Sequence, residues 1–267
     1  MSNLSNINNW EVPAYETHEF APKSTRFCTV IPVINEGDRI RTQLKDMFDQ
    51  GISIQGDVII ADGGSKDGSL DEVFLRSVGI NTLLVKTGPG KLSAQLRMAY
   101  SFALIRGYDG IVTIDGNGKD GVEAIPSFFK ALDSGWDIIQ GSRFVPGGIA
   151  VNTPRSRLVA IKLIHAPVSS LAARFHYTDT TNGFRAYSAA YLLDPRVQPF
   201  RSVFQTYELL AYLSIRGPKL RFRTIELPVA RRYPDEGKIP TKISPFRGSM
   251  DLLIILAKAA LGNYNSK

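Results

Sequence analysis

Three short polar segments of this chain carry residue types that do chemistry together. They are Asp62-Gly63-Gly64-Ser65-Lys66-Asp67-Gly68, Asp115-Gly116-Asn117 and Gly141-Ser142-Arg143, and each follows an apolar run. Acidic and amide oxygens at i and i+2, as in Asp115 and Asn117, can share one hard cation. Such a cation would bridge a diphosphate, neutralise it and assist its departure. Arg143, followed by Arg155 and Arg157, offers guanidinium forks for phosphate oxygens. Taken singly, each segment also reads as a turn, because Gly, Asp and Asn favour turns. None is a Walker A loop or a G-x-G-x-x-G dinucleotide loop.

The order of the elements joins these segments. Phe27–Val33, Asp57–Ala61, Thr82–Val85, Gly110–Ile114 and Asp137–Gln140 are short apolar runs rich in strand formers. Between them, apolar residues recur at helical spacing. Ile40, Leu44, Met47 and Phe48 form one such face, Leu92, Leu96, Ala99 and Ala103 a second, and Val122, Ile125, Phe128, Phe129 and Leu132 a third. The alternation predicts an α/β fold with a mainly parallel sheet flanked by helices. Ligands in such sheets bind beyond the carboxyl ends of the strands. Asp62 and Asp115 are therefore expected to face one crevice, though far apart in sequence. The second half is less regular. It predicts helices over 158–175 (across Pro167), 203–215 and 249–262, and a strand over 221–230. Residues 1–24 are expected to form a tail, 25–247 one catalytic domain, and 248–267 an apolar helix positioned to touch a membrane.

Composition narrows the class. The chain has 267 residues, of which 43% are hydrophobic and 21% charged, which excludes disorder over most of its length. A single cysteine, Cys28, excludes a disulfide scaffold and reads as a small apolar residue of the first strand. His165 and His176 lack metal-ligand spacing. The net charge is +7, and residues 216–247 hold nine Lys/Arg against three acids. Such a cluster suits phosphates, anionic lipid headgroups or nucleic acid. No nucleic-acid motif accompanies Phe222, Tyr233 and Phe246, so nucleic acid is not expected. Residues 1–22 lack the apolar segment of a signal peptide, and Leu252–Ala257 is far too short to cross a bilayer.

In order and spacing, the motifs resemble one family. Val30-Ile31-Pro32-Val33-Ile34-Asn35-Glu36 resembles the opening of family 2 glycosyltransferases, and Asp62–Ser69 resembles their D-D-G-S-x-D-G-T segment. Asp115-Gly116-Asn117 sits where they carry a D-x-D motif. Gly141-Ser142-Arg143-Phe144 with Gly147-Gly148, then Asp179–Tyr187, then Glu226-Leu227-Pro228-Val229 resemble the dolichyl-phosphate mannosyltransferase-like branch, which makes polyprenyl-phosphate sugars. The resemblance implies a GT-A fold, a nucleotide-diphosphate sugar donor and Mg2+ or Mn2+. It implies that Pro32, Asn35, Glu36, Asp62, Gly64 and Lys91 hold the nucleotide. Asp115, Gly116, Asn117 and Lys119 would approach the diphosphate, with Asp115 and Asn117 as metal ligands. Arg143 and Arg157 would take the acceptor phosphate, and Glu208 occupies a carboxylate position of the branch. Three positions depart from the pattern: Gly63 and Asn117 replace Asp, and Lys119 replaces Gln or His.

The expected activity is inverting hexosyl transfer to a polyprenyl phosphate. That acceptor is already anionic near neutral pH, so alignment and leaving-group stabilisation suffice. A sugar hydroxyl, as in surface-polysaccharide assembly, would need a base, and Asp179 and then Glu208 are the candidates. A non-catalytic nucleotide-sugar binder is a third reading, favoured by Asn117 and Lys119. The expected location is cytoplasmic and peripheral at the membrane.

Overall fold

The structure, a computed structural model, describes residues 7–234 and 247–266. Its first half alternates strands and helices: β1 (Tyr15–Glu19), β2 (Phe27–Val33), α1 (Asp38–Asp49), α2 (Ile52–Gln55), β3 (Asp57–Asp62), α3 (Glu72–Ser77), β4 (Thr82–Lys86), α4 (Leu92–Ile105), β5 (Gly110–Thr113), α5 (Ile125–Asp133) and β6 (Ile138–Ser142). The second half adds β7 (Ile149–Val151), α6 (Arg155–Ala160), α7 (Ala166–Ala173), β8 (Arg185–Ser188), α8 (Ala189–Leu192), α9 (Glu208–Lys219), β9 (Thr224–Pro228), β10 (Ala230–Arg232) and α10 (Arg247–Ala260). Eight strands make one sheet in the order β1-β4-β3-β2-β5-β8-β6-β9, and β7 and β10 pair in a second. The sheet is mostly parallel, with β1 and β8 antiparallel to their neighbours.

Both faces of the sheet are covered, which is why its strands read as continuous apolar runs. Along β2, Cys28 and Val30 enter the core layer with α4, α9 and α10. Phe27, Ile31 and Val33 enter the opposite layer with α1 and α5. Cys28 is fully buried, as its strand position implies.

Two strands escape the apolar pattern. β1, Tyr-Glu-Thr-His-Glu, is almost wholly exposed yet forms the edge of the sheet by pairing with β4, from Tyr15 opposite Lys86 to Glu19 opposite Thr82. Polar residues suit an edge, and hydrophobicity gives no sign of them. The tail expected over 1–24 is thus part of the fold from residue 7 onward. Trp10 also stacks on Phe200 at 4.0 Å between ring centroids. β8 is four residues long and inserts between β5 and β6.

The helix expected over 158–175 runs from Arg155 to Ala173, with a π-turn at Ile161–His165. Pro167 has no N–H to return to the preceding turn, and the wider turn just before it absorbs that loss. The expected strand over 221–230 breaks at Val229 into β9 and β10. The C-terminal helix is not an appendage. Ile255, Leu256 and Ala259 of α10 are buried, and it packs on α9 and α7. Among the described residues no helix is long and apolar enough to cross a membrane.

Candidate functional site

The carboxyl ends of β3 and β5 flank that of β2, and their loops meet over it. The Gly63 N–H donates to the Val33 carbonyl at 2.8 Å. From the other side, a Cβ at Gly116 would lie 2.9 Å from Val33 Cγ2 and 3.1 Å from the Pro32 carbonyl, so only glycine lets that loop close. Asp62 and Asp115 therefore come to one edge, as the strand order requires.

On the β3 side, the Asp62 carboxylate is buried and accepts from the Ser65 N–H at 2.9 Å and the Ser65 hydroxyl at 2.6 Å. Gly64, at φ +95, makes the turn that an L side chain rarely adopts. Asn35, at φ 48, joins the two loops: its N–H donates to Ser65 Oγ at 2.9 Å, and its Oδ1 accepts from Lys66 N–H at 2.8 Å. Glu36 accepts from Arg39 Nη2 at 2.8 Å. Gly63 has a structural cause. Gln95 Nε2 bonds the carbonyls of Val33 (3.0 Å) and Ala61 (3.1 Å), and a Cβ at position 63 would lie 2.8 Å from it. The Gln95 amide thus fills the space that an aspartate would need. Lys91, exposed at the start of α4, lies beyond the end of β4, and its N–H donates to the Gln205 carbonyl at 2.7 Å.

On the β5 side, the side chain of Asp115 keeps 25% exposure, and its Oδ2 meets Arg231 Nη2 at 3.2 Å. Asn117 Nδ2 also points at that oxygen, at 3.4 Å. Asp115 Oδ1 lies against Gly183, where a Cβ would come within 2.3 Å of it. Lys119 is buried, with its ammonium 5.4 Å from the centre of the Tyr233 ring. Burial, then Arg231, pull its pKa below the ordinary lysine range, against the pull of Asp115. Tyr233 itself is ringed by cations. Arg157 Nη1 lies 3.4 Å from its hydroxyl, and the Arg231 guanidinium 5.8 Å from its ring. Burial alone would raise that phenol, but Arg231, Arg157 and Arg143 outweigh it and its pKa falls below the usual tyrosine value. A cavity of about 700 Å3 adjoins, between α1 and the 117–123 loop, with Asp38, Asp46, Lys119, Glu123 and Tyr233 in its wall.

Arg143 and Asp179 are brought together, but not as phosphate grip and base. Arg143 Nε donates to Asp179 Oδ2 at 2.6 Å and Nη2 to Oδ1 at 3.0 Å, with the two side chains 1% and 0% exposed. The fork that was expected to hold a phosphate holds a carboxylate instead. Asp179 has both oxygens engaged, which leaves it poorly placed to take a proton from a sugar hydroxyl. Glu226 fixes this loop from below, accepting from the N–H groups of Thr178 (2.9 Å) and Asp179 (3.1 Å). Glu208 is placed elsewhere. It opens α9 and accepts from the Thr206 N–H at 2.7 Å and the Thr206 hydroxyl at 2.6 Å, while the Ser93 N–H, donating to the Thr206 carbonyl at 2.9 Å, ties the same loop to α4. These bonds engage both Glu208 carboxylate oxygens on Thr206, just ahead of the helix.

No protein-family model matches the chain. An undecaprenyl-phosphate mannosyltransferase from Micrococcus luteus is 29% identical over 206 residues, covering 76% of this chain and 82% of that one. A polyprenol monophosphomannose synthase from Mycolicibacterium smegmatis is 29% identical over 165 residues, 61% of each chain. The match to it thus spans less than two thirds of its length. Among solved structures, glucosyl-3-phosphoglycerate synthase from Mycobacterium tuberculosis, with Mn2+ and UDP-glucose, superposes with a TM-score of 0.59 over 88% of this chain and 79% of that one, at 17% identity. The chain has the GT-A fold and is similar in sequence to polyprenyl-phosphate hexosyltransferases. The resemblance read from the motifs is borne out, and so is the α/β class with its mostly parallel sheet.

The glucosyl-3-phosphoglycerate synthase from Mycobacterium tuberculosis is crystallised with Mn2+ and UDP. On this frame the cation would meet Asp115 and Asn117. Among the described residues no group of three His, Cys, Asp or Glu gathers to hold a metal on its own. One carboxylate and one amide oxygen still fit Mg2+ or Mn2+ when substrate phosphates and waters complete the shell. The donor set therefore suits a cation carried in with a diphosphate.

Three residues of the site, Arg231, Tyr233 and Gln95, carry no motif in the sequence. Arg231 and Tyr233 belonged to the basic segment 216–247, which read as a surface for lipid or phosphate. Gln95 sat unremarked in a helix stripe. Only the alternation Arg231-Arg232-Tyr233 hinted at a strand with one inward basic residue.

Proposed function

We propose that this chain transfers a hexose from a nucleotide-diphosphate sugar to a polyprenyl phosphate, with inversion. The observation that carries the reading is the Asp62–Asp115 crevice, rimmed by Lys119, Arg157 and Arg231, on a chain related to polyprenyl-phosphate mannosyltransferases. An oxygen of the lipid phosphate attacks the anomeric carbon while the bond from that carbon to the diphosphate breaks. The electron pair leaves on the diphosphate, and no proton moves. Asp62, Asn35 and Glu36 hold the nucleoside. Asp115 and Asn117 would hold the divalent cation, which would neutralise the diphosphate when bound. Arg157 and Lys119 add positive charge where the two phosphates approach. The occupied state of Asp179 favours the phosphate acceptor over a sugar hydroxyl, since only the hydroxyl needs a base.

The same reading places the protein at a membrane surface, because the acceptor's tail stays in the bilayer. The stretch from Arg155 to Ala173 exposes Val159 (55%), Leu163 (71%) and Leu171 (85%), and α10, packed beside α7, exposes Ile254 (47%). Lys162 and Arg174 flank these side chains. Basic charge beside an apolar face gives reversible interfacial binding. Leu163→Asp with Leu171→Asp is expected to abolish sedimentation with anionic vesicles and to leave the thermal midpoint unchanged. Vesicle binding that survives the double change removes this face from the account.

Donor binding is tested by thermal shift against UDP-, GDP- and dTDP-sugars with Mn2+. One donor is expected to raise the midpoint by about 3 kcal/mol worth of stabilisation at a hundredfold excess over its Kd. A panel with no shift contradicts the donor site.

A further inference from the structure

Arg231 is the residue of the crevice that neither the motifs nor the reaction accounts for. Its side chain is 7% exposed. Nη1 bonds Asp120 Oδ2 and lies 3.3 Å from Asn182 Oδ1, while Nη2 reaches Asp115 Oδ2 at 3.2 Å. Asp120 is 0% exposed in its side chain, and among the described residues Arg231 is the cation bonded to it. The backbone sets this placement. Asp120 and Arg231 form a β-bridge, the Gly121 N–H donates to the Ala230 carbonyl at 2.9 Å, and the Arg232 N–H donates to the Lys119 carbonyl at 2.8 Å. The guanidinium is thereby clamped beside the Asp115 loop. Around it, Asp120 Oδ1 and Asn182 Nδ2 are buried with no partner among the described residues, so this polar layer has unused ligating and donating capacity.

We propose that Arg231 is a positioning residue that acts as the resident cation of this crevice. It pairs with both Asp115 and Asp120 while no donor is bound, and it yields the Asp115 carboxylate to a divalent cation only when a nucleotide diphosphate brings one. A divalent cation alone meets a carboxylate already paired and a guanidinium of like charge beside it. The diphosphate supplies the negative charge that offsets both. The inference rests on the reading of this crevice as a diphosphate site.

The test is Mn2+ binding by the full chain without sugar donor or acceptor, read from the electron-spin resonance of free Mn2+, with and without UDP or GDP. Wild type is expected to bind Mn2+ alone only weakly and to gain affinity with the nucleotide. Arg231→Gln is expected to bind Mn2+ alone about tenfold tighter or better, because a like charge is removed from a shielded position. Arg231→Lys keeps the charge and is expected to stay near wild type. Adding Asp115→Asn to Arg231→Gln is expected to cancel the gain. Should Arg231→Gln fail to fold, Arg231→Gln with Asp120→Asn removes the buried charges together and is expected to show the same direction. The proposal is overturned if wild type binds Mn2+ alone as tightly as the folded variant lacking the guanidinium. It is also overturned if Arg231→Lys behaves like Arg231→Gln. No arm uses a transferable sugar, so failure here leaves the transferase reading standing, and a failed transfer assay leaves these outcomes interpretable.

Discussion

Asp179→Ala is expected to cost roughly 3–5 kcal/mol of stability, because it leaves a buried guanidinium without its partner. Arg143 gives Asp179 two bonds, at 2.6 and 3.0 Å, and also reaches Thr181 Oγ1 at 2.9 Å. Arg143 Nη1 is already buried without a partner among the described residues, so the guanidinium has nothing in reserve. For a chain of this length the loss corresponds to a midpoint lower by roughly 6–20 °C, measured by circular dichroism. Asp179→Asn keeps one acceptor oxygen and is expected to lose less. That variant also separates two roles. If Asp179 orients the loop, transfer by the folded Asp179→Asn protein falls modestly. If it is a general base, transfer disappears while the fold stays.

Asp115→Ala carries the second large effect, and it acts on rate rather than on folding. Asp115 keeps 25% side-chain exposure and contributes only one of Arg231's carboxylate contacts, so Asp120 still pairs the guanidinium. The thermal midpoint should change little. Transfer is expected to fall about a hundredfold or more, the scale of losing a preorganised electrostatic contact to a leaving group. The measurement is kcat at saturating donor, with EDTA as a parallel arm. Activity that survives both the substitution and EDTA would remove Asp115 and its cation from the mechanism.

The strands that carry the donor loops were legible because they are buried on both faces. β2 and β3 begin and end within a residue of the apolar runs, and the Gly/Asp-rich loops after them lie at one edge, as the topology demands. β1 and β8 were not legible, one because an edge strand needs no apolar residues, the other because four residues carry too little periodicity. The site residues divide in the same way. Asp62 and Asp115 follow strands whose pairing is fixed by hydrophobic pattern. The pairing of Arg143 with Asp179, and of Arg231 with Asp120, depends on where irregular loops bring distant residues together, which no local pattern encodes. Charge counting placed Arg231 on the surface. Its burial shows that part of the basic segment's charge is spent inside the fold.

The account turns on the acceptor. The most direct measurement supplies one radiolabelled nucleotide sugar, chosen by thermal shift, to the full chain with Mn2+ and two acceptors in separate reactions: a polyprenyl phosphate in detergent and an oligosaccharide with free hydroxyls. The account predicts label in an acid-labile, organic-extractable lipid product, and none in the oligosaccharide. Transfer to the oligosaccharide with an unlabelled lipid phase would contradict it.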